Sequence, residues 1–167
     1  LTAGKNAYDK WGAEKQLDKI TVNFNANGGT LTEVSKDVVY AGKYGTLPTP
    51  TREGYQFNGW YTRSVDGTLV KDTTKVTKNY NHTLYAHWTI NSYTLTVKPN
   101  GGSWNSTTSD TDIKLDYGAT KTIAAPTRTV YTFTGWTVSG SGSSMSGTTF
   151  TMGSANASIT ANWTKIV

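Results

Sequence analysis

Short runs of alternating apolar and polar side chains recur along the chain in matched pairs. The run Ile20-Thr21-Val22-Asn23-Phe24 places its apolar side chains on one face, and Tyr93, Leu95 and Val97 repeat that alternation. Alternation with a period of two predicts half-buried β-strands at both places. A second pair of strands is predicted from Asp37 to Tyr40 and from Ile113 to Leu115, each ending near a glycine.

A longer motif also occurs twice. The stretch Gly54-Tyr55-Gln56-Phe57-Asn58-Gly59-Trp60 returns as Val130-Tyr131-Thr132-Phe133-Thr134-Gly135-Trp136, at an offset of 76 residues. The preceding Pro-Thr-Arg, residues 50–52 and 126–128, keeps the same offset, and the closing strand from Leu84 to Thr89 recurs from Ile159 to Thr164 at an offset of 75. A repeat of this size predicts two successive domains.

We therefore divide the chain into module one, residues 20–89, and module two, residues 93–164. The short connection between them predicts a stiff tandem. Residues 1–19 contain no copy of the repeat and are interpreted as a lead segment or the tail of a preceding domain, cut from a longer protein. Their alternating charges around Ala7, Tyr8, Trp11 and Leu17 predict a short helix.

Glycine positions predict turns and a distortion of the organising strand. Asn27-Gly28-Gly29 and Asn100-Gly101-Gly102 accept positive φ and so permit tight reversals. Tyr55 and Phe57 share one parity, which Trp60 breaks. Either a bulge at Gly59 turns Trp60 inward, or the strand is covered on both faces. Gly59 and its counterpart Gly135 are also expected to allow a close approach by a neighbouring ring or backbone.

The region after the organising strand is less regular in both modules. The segment from Asp72 to Thr77 predicts a helical turn in module one. The corresponding part of module two, from Ser139 to Ser144, is rich in Ser and Gly and is predicted to be a loop.

Composition places the chain among mainly β proteins, a small α+β fold at most. Domains of about 70 residues have thin cores and need additional stabilisation. The chain has no Cys, so its six Trp, ten Tyr and four Phe must supply the core. The net charge of +5 is spread thinly and forms no basic cluster, which argues against nucleic-acid binding. No apolar run reaches the length that membrane insertion requires.

The motifs resemble those of the Listeria-Bacteroides repeat family, of which the internalin B-repeat is the best-known member. Module one carries all of them, as Asn27-Gly28-Gly29, Gly54 to Tyr61 and Leu84 to Trp88. Module two departs from the pattern but is assigned to the same superfamily. Its departures are Val130, Thr137, Thr160 and Asn162.

This resemblance implies a fold similar to β-grasp, mostly strands with a reduced helical element. It implies secreted proteins at the bacterial cell surface or cell wall, in which such modules lie between a recognition domain and an anchor. The family has no catalytic residues to transfer.

Chemistry that would indicate an enzyme is missing from the sequence. His82 and His87 are five residues apart, a spacing that does not form a metal pair on a strand, and we expect both to be solvated. Asp110, Asp112 and Asp116 resemble a calcium loop, but Lys114 stands where a ligand belongs. We predict no catalytic residue, no metal and no cofactor.

Comparison of the two copies separates core from surface. Positions that stay large and apolar in both copies are predicted to be core: Tyr55/Tyr131, Phe57/Phe133, Trp60/Trp136, Trp88/Trp163 and Leu47/Ile123. Positions that change from aromatic or His to polar must tolerate water: Tyr44/Thr120, Tyr61/Thr137, Tyr85/Thr160 and His87/Asn162. Trp104, whose counterpart is Leu31, and Trp11 are interpreted as satellite packing or a second contact point.

The four changing positions in module one, Tyr44, Tyr61, Tyr85 and His87, form our candidate contact surface. The alternative is that each Tyr only covers its own sheet edge. The predicted function is a non-enzymatic spacer and adhesion segment of a bacterial surface protein, monomeric, with neighbouring domains or a host protein or glycan as partners. The alternative function is a carbohydrate-binding module with exposed aromatics. Clustered carboxylates with perturbed pKa values in a cleft would instead indicate a hydrolase fragment.

Overall fold

The computed structural model describes residues 7–8, 14–15 and 18–167. All regular elements in this part of the chain are strands, which confirms the mainly β prediction. The reduced helical element that the resemblance implied is not found in these residues. Likewise, none of them form a helix long and apolar enough to cross a bilayer.

The helix predicted over residues 1–19 is wrong where the structure describes this segment. Strand β1 (Ala7–Tyr8) pairs antiparallel with β2 (Glu14–Lys15), and Lys19 already begins the first strand of module one. The glycines at positions 4 and 12 disfavour a helix here, since each costs about 1 kcal/mol relative to Ala. The rest of the predicted helix, including Trp11, lies outside the described residues.

Module one is built on one five-stranded sheet in the order β4-β3-β7-β5-β6. The central strands β3 and β7 are parallel, while β3–β4 and β5–β6 are antiparallel. The strands are β3 (Lys19–Asn25), β4 (Ser35–Val39), β5 (Tyr55–Tyr61), β6 (Leu69–Val70) and β7 (His82–Ile90).

Module two has a four-stranded sheet in the order β11-β14-β8-β9 and a three-stranded sheet in the order β10-β13-β12. In the larger sheet β8 and β14 are parallel, as β3 and β7 are in module one. The strands are β8 (Ser92–Lys98), β9 (Thr111–Asp116), β10 (Thr120–Thr122), β11 (Tyr131–Ser139), β12 (Ser144–Ser146), β13 (Thr149–Thr151) and β14 (Ala157–Lys165).

The chain forms two compact units, each with its own core. The first comprises Leu1–Arg52 and Phe57–Thr89, and the second comprises Glu53–Gln56 and Ile90–Val167. The core of the first contains Ile20, Val22, Phe24, Val38, Tyr44, Trp60, Val70, Val76, Leu84 and Ala86. The core of the second contains Leu95, Val97, Trp104, Ile123, Phe150, Met152, Ala157 and Ile159. The inward positions alternate along the strands, as the sequence pattern predicted.

The predicted bulge occurs at the glycine of the organising strand. The register between β11 and β14 shifts between Phe133 and Gly135, and Gly135 has φ of 133°. Gly59 has a similar φ of 121°. The expected close approach is wrong for Gly135, where an added Cβ would meet no atom within 4 Å. At Gly59 an added Cβ would lie 2.7 Å from Leu69 Cδ1, so a side chain does approach closely there. The requirement that both copies share is the positive φ.

The segment from Asp72 to Thr77 forms a turn and not a helical one. The Thr74 amide donates to the Lys71 carbonyl at 3.0 Å, and the Val76 amide donates to the Gly42 carbonyl at 2.7 Å. The first bond closes a local turn, and the second pairs Val76 with a distant segment in place of the bond that a helix would need. In module two the loop prediction holds only between Ser139, the end of β11, and Ser144, the start of β12.

Candidate functional site

The repeated Asn-Gly-Gly turns each hold the indole of the closing strand. In module one Trp88 Nε1 donates to the Ala26 carbonyl at 2.9 Å, and a Cβ on Gly29 would lie 2.4 Å from Trp88 Cζ2. The second glycine is therefore required because the ring occupies the space of a side chain. In module two Trp163 packs against Gly102 in the same way.

The repeated Pro-Thr-Arg segment also makes contacts within its own module. Thr51 exchanges two backbone hydrogen bonds with Thr30, at 2.7 and 3.0 Å. The Arg52 guanidinium lies over the Asn-Gly-Gly turn, where its Cζ would be 3.1 Å from a Cβ on Gly28. Module two reproduces both contacts. In that module Arg128 lies over the Tyr131 ring, with its Cζ 3.8 Å from the ring centroid. The residues that define the repeat thus stabilise the modules themselves.

The deep tryptophan differs between the modules. Trp60 is 2% exposed and its Nε1 donates to the Pro48 carbonyl at 2.8 Å. In module two Trp104 is 4% exposed and its Nε1 donates to the Ala124 carbonyl at 2.9 Å. Trp136, the sequence counterpart of Trp60, is only half-buried. Trp104 is therefore a main core residue, and its interpretation as satellite packing or a contact point is wrong.

One signal in the sequence could have revealed this role of Trp104. At the constant offset of 73 residues in this region, Phe24 corresponds to Val97 and Leu31 corresponds to Trp104. A loss of side-chain volume at one core position accompanies a gain at the other, as expected when two interiors must both be densely packed.

Tyr44 does not belong to an exposed contact surface. It is 5% exposed, and its hydroxyl lies 2.7 Å from His82 Nε2. His82 is itself 7% exposed, so the expectation that it is solvated is wrong. Its Nδ1 donates to the Tyr80 carbonyl at 2.9 Å, so Nε2 accepts the Tyr44 proton when the ring is neutral. Burial raises the pKa of Tyr44.

The pairing of Tyr44 with Thr120 was wrong by one residue. Lys43 bridges Lys75 in module one, and Thr120 pairs with Thr151 in module two. The backbone thus aligns Lys43 with Thr120, so the counterpart of Tyr44 is Lys121. Module two has one residue fewer than module one between this point and the Leu47/Ile123 pair, and an alignment at a constant offset of 76 hides that deletion.

Tyr61 and His87 come together as a stacked pair on module one. Their ring centroids are 3.9 Å apart and the ring planes differ by 6°. His87 Nε2 donates to the Arg63 carbonyl at 2.9 Å, which holds the ring against the loop after β5. Both rings are half-buried. His87 therefore has a defined setting, although part of it meets solvent as expected.

Tyr85 lies on the same strand and has the same parity as His87. It is half-buried, whereas the alternate positions Leu84 and Ala86 are fully buried. In module two the counterparts of Tyr61 and Tyr85, Thr137 and Thr160, are direct cross-strand partners. Tyr61 and His87 thus contact each other, the parity of Tyr85 and the module-two pairing put Tyr85 on the same outer face, and Tyr44 is not part of it.

A cleft of about 340 Å³ lies beside the stacked pair. Its polar lining comes from Arg52, Asn58 and Asp66, and its rings are Tyr61, His87 and the half-buried Trp88. The loop from Thr62 to Thr68 forms one side. Its base is closed by the Thr62 amide, which donates to the Thr68 carbonyl at 3.1 Å. The Asn27 side chain donates to the Ser64 carbonyl of the same loop at 3.3 Å.

The acidic residues of module two that resembled a calcium loop lie in or beside a strand. Asp112 accepts a hydrogen bond from Thr96 Oγ1 at 2.6 Å, and Asp116 accepts one from Ser92 Oγ at 2.5 Å. These carboxylates connect β9 to β8. Across residues 18–167, whose side chains are described, no three His, Asp or Glu side chains are grouped as metal ligands would be.

Comparison with known proteins gives the same assignment to families as the motifs. Residues 21–87 match the family model of the Listeria-Bacteroides repeat domain, and residues 93–167 match that of the divergent InlB B-repeat domain. Internalin H of Listeria monocytogenes is 41% identical over 88 residues, which cover 52% of this chain and 15% of that protein.

Two proteins of Evansella cellulosilytica are similar as well. One, named as a candidate membrane protein, is 34% identical over 131 residues, covering 77% of this chain and 18% of its own length. The other, named as a candidate Gly-rich membrane protein, is 37% identical over 97 residues, covering 58% of this chain and 10% of its own length. The chain spans less than a fifth of each relative. Module one belongs to the Listeria-Bacteroides repeat family and module two to the divergent InlB B-repeat family, so residues 21–87 and 93–167 are repeat domains of internalin-like surface proteins.

Proposed function

We propose that this chain is a non-catalytic spacer and adhesion segment of a protein exposed on the bacterial cell surface or cell wall. Within it, the outer face of module one formed by Tyr61, Tyr85 and His87 is the contact face for a host ligand. These three residues are called the outer aromatic face below.

The observation that carries the proposal is a difference between the residues repeated in both modules and the residues of the outer aromatic face. The repeated residues pack against one another within each module, as Trp88 does against Gly29. The outer aromatic face has polar counterparts in module two, so the fold forms without these rings. Partly exposed aromatic side chains that the fold does not require are typical of interaction surfaces. The comparison with internalin-like relatives supports a location outside the cell.

A cell-binding experiment tests the proposal. Fluorescently labelled chain is incubated with mammalian epithelial cells, and bound label is measured by flow cytometry. The triple variant Tyr61→Thr/Tyr85→Thr/His87→Asn installs the residues of module two and should bind several-fold less. Tyr80→Thr is the matched control, because Tyr80 is 59% exposed but lies outside the outer aromatic face. Equal binding by the triple variant and the unaltered chain would contradict the proposed contact face.

A further inference from the structure

The cleft beside the Tyr61–His87 pair combines ring surface with polar groups of both signs. It is lined by one guanidinium, from Arg52, and one carboxylate, from Asp66. A site selective for an anion or a cation gathers charges of one sign. This lining instead suits a neutral ligand that both donates and accepts hydrogen bonds.

The hydrogen-bonding groups of the cleft are of the kinds that hydroxyl groups need. Asn58 Nδ2 donates to Thr89 Oγ1 at 2.7 Å, which fixes the orientation of its amide. Asp66 is exposed and accepts, while the Arg52 guanidinium donates. His87 uses Nε2 on the Arg63 carbonyl, so a neutral ring presents Nδ1 as an acceptor. A polyhydroxylated ligand could bond to several of these groups at once.

The apolar part of the cleft comes from two rings stacked face to face and not from a deep hole. Tyr61 and His87 are parallel to within 6°, and the exposed Val65 lies at the edge of the same cleft. A volume of about 340 Å³ lies near the lower end of the range for ligand sites, about 300–1,000 Å³. It is enough for one or two sugar rings of a chain that extends into solvent.

The fold does not explain why these rings are present. In module two the positions of Tyr61 and His87 hold Thr137 and Asn162, and Asn162 Nδ2 donates to Thr137 Oγ1 at 2.9 Å. The same cross-strand contact is thus made without aromatic surface. The rings of module one add a stacking surface that the fold does not need.

We infer that the cleft binds a neutral glycan chain. The outward ring face of the Tyr61–His87 stack packs against the apolar face of one pyranose ring, and Arg52, Asn58 and Asp66 hydrogen-bond its hydroxyl groups. The inference rests on the proposed contact face of module one and names the class of ligand it takes.

An NMR titration of the full chain tests the inference. Chitotetraose, cellotetraose and mannotetraose are the neutral probes, and a heparin tetrasaccharide is the charged one. At least one neutral probe should shift the amides of Tyr61, Asp66 and His87 in a saturable way. Tyr61→Thr/His87→Asn should weaken this binding at least about tenfold, the usual loss when a central contact is removed. Tyr80→Thr should leave it unchanged.

Three outcomes overturn the inference: no saturable shift with any neutral probe, saturable binding of the heparin tetrasaccharide alone, or equal binding by the double variant and the unaltered chain. The outcomes also separate the two proposals. If cell binding depends on the outer aromatic face but no neutral probe binds, the glycan inference fails and the contact face stands. If cell binding is indifferent to that face, the proposed function fails whichever sugars bind.

Discussion

Module one and module two share the same backbone contacts but differ in the side chains of their cores and outer faces. Both hold an indole against an Asn-Gly-Gly turn, through Gly29 in one and Gly102 in the other. Both begin their parallel pair with an Asn side chain, Asn81 or Asn156, that accepts from a strand amide at 2.9 Å. The difference lies in what fills the interior and what covers the outer face.

The deep indole shows what the repeat preserves. The backbone carbonyl of Pro48 or Ala124 receives an indole N–H in each module, but the ring comes from Trp60 in one and from Trp104 in the other. The acceptor position is kept while the donor moves to another segment. Filling the interior and pairing the N–H of the buried indole constrain the sequence more than the identity of any one position.

The two cores also differ in polarity at the start of the closing strand. Val22 pairs with His82 in module one, and Leu95 pairs with Ala157 in module two, so His82 corresponds to Ala157. Module one buries the His82–Tyr44 hydrogen bond, while module two fills its core with Phe150 and Met152. A buried polar pair is stable only when both partners are present, whereas an apolar core has no such condition.

The largest expected effect concerns the deep indole. Trp104→Ala should lower the free energy of unfolding of module two by about 3–5 kcal/mol, because it leaves a cavity and removes the donor to the Ala124 carbonyl. Trp136→Ala should cost less, since Trp136 is half-buried. Native-state hydrogen exchange of amides in β8 and β14 measures this loss for module two.

Trp60→Ala provides the matched variant in module one, read from amides in β3 and β7. It should produce a loss as large as that of Trp104→Ala. A larger loss from Trp136→Ala than from Trp104→Ala would show that the two modules use the same deep tryptophan after all.

A contact that both modules share gives the next largest effect. Gly29→Ala would place a Cβ 2.4 Å from Trp88 Cζ2 and 2.8 Å from the Thr51 carbonyl, and should cost about 3 kcal/mol, the upper end for an overpacked site. Gly102→Ala should cost the same in module two. Urea unfolding of each variant measures the change in free energy.

Gly118→Ala is the control for this pair. Its φ is +73° but a Cβ there would meet no atom within 4 Å, so only backbone strain of about 1 kcal/mol is expected. If Gly29→Ala were no more costly than Gly118→Ala, the indole would not occupy the space over the turn.

The sequence predicted those parts of the fold that depend on local pattern. Alternation located the strands and the Asn-Gly-Gly motifs located the tight turns. The broken parity at Trp60 indicated either a bulge or a strand covered on both faces, and the register shift in module two shows the bulge. Each signal follows from the geometry of a few consecutive residues. Tyr61 and His87 were selected on a different ground, the comparison of the two copies, and their role in a contact face stays a prediction.

Local pattern could not predict which of several distant segments supplies a given core side chain. Alignment at an offset of 76 paired Trp60 with Trp136 and so concealed the role of Trp104. The burial of Tyr44 depends on a partner, His82, that lies 38 residues away. The β12–β13 hairpin was missed because its Ser- and Gly-rich sequence is typical of loops.

The buried polar pair of module one predicts a smaller effect. Tyr44→Phe removes the donor to His82 Nε2 in a buried site and should cost about 1–2 kcal/mol. Tyr44→Phe/His82→Phe removes both polar partners and should recover part of that loss. Urea unfolding of the single and double variants measures the coupling between the two side chains. Tyr80→Phe should change little, because Tyr80 contributes its carbonyl and not its hydroxyl to this group. Additive losses from the two substitutions would contradict a hydrogen-bonded pair.

The smallest expected effect comes from a charge that only module one carries. The pKa of Asp37 lies below its ordinary value of 3.8, chiefly because Lys19 and then Thr21 hydrogen-bond its carboxylate. Lys114 takes this place in module two, since Thr21 pairs with Asp37 and Thr94 pairs with Lys114.

A lowered folded-state pKa means that the contribution of Asp37 to stability is complete above pH 3.8 and is lost as the pH falls through the lowered value. Urea midpoints between pH 6 and pH 2, taken from amides in β3 and β4, should therefore fall slightly further for the unaltered chain than for Asp37→Asn. The difference should be small because Lys19 and Asp37 are both exposed and exposed ion pairs contribute little. An identical acid-induced fall in both proteins would show that the Lys19–Asp37 pair, at 3.2 Å, does not stabilise module one in solution. Module two would then lose nothing by having a lysine there.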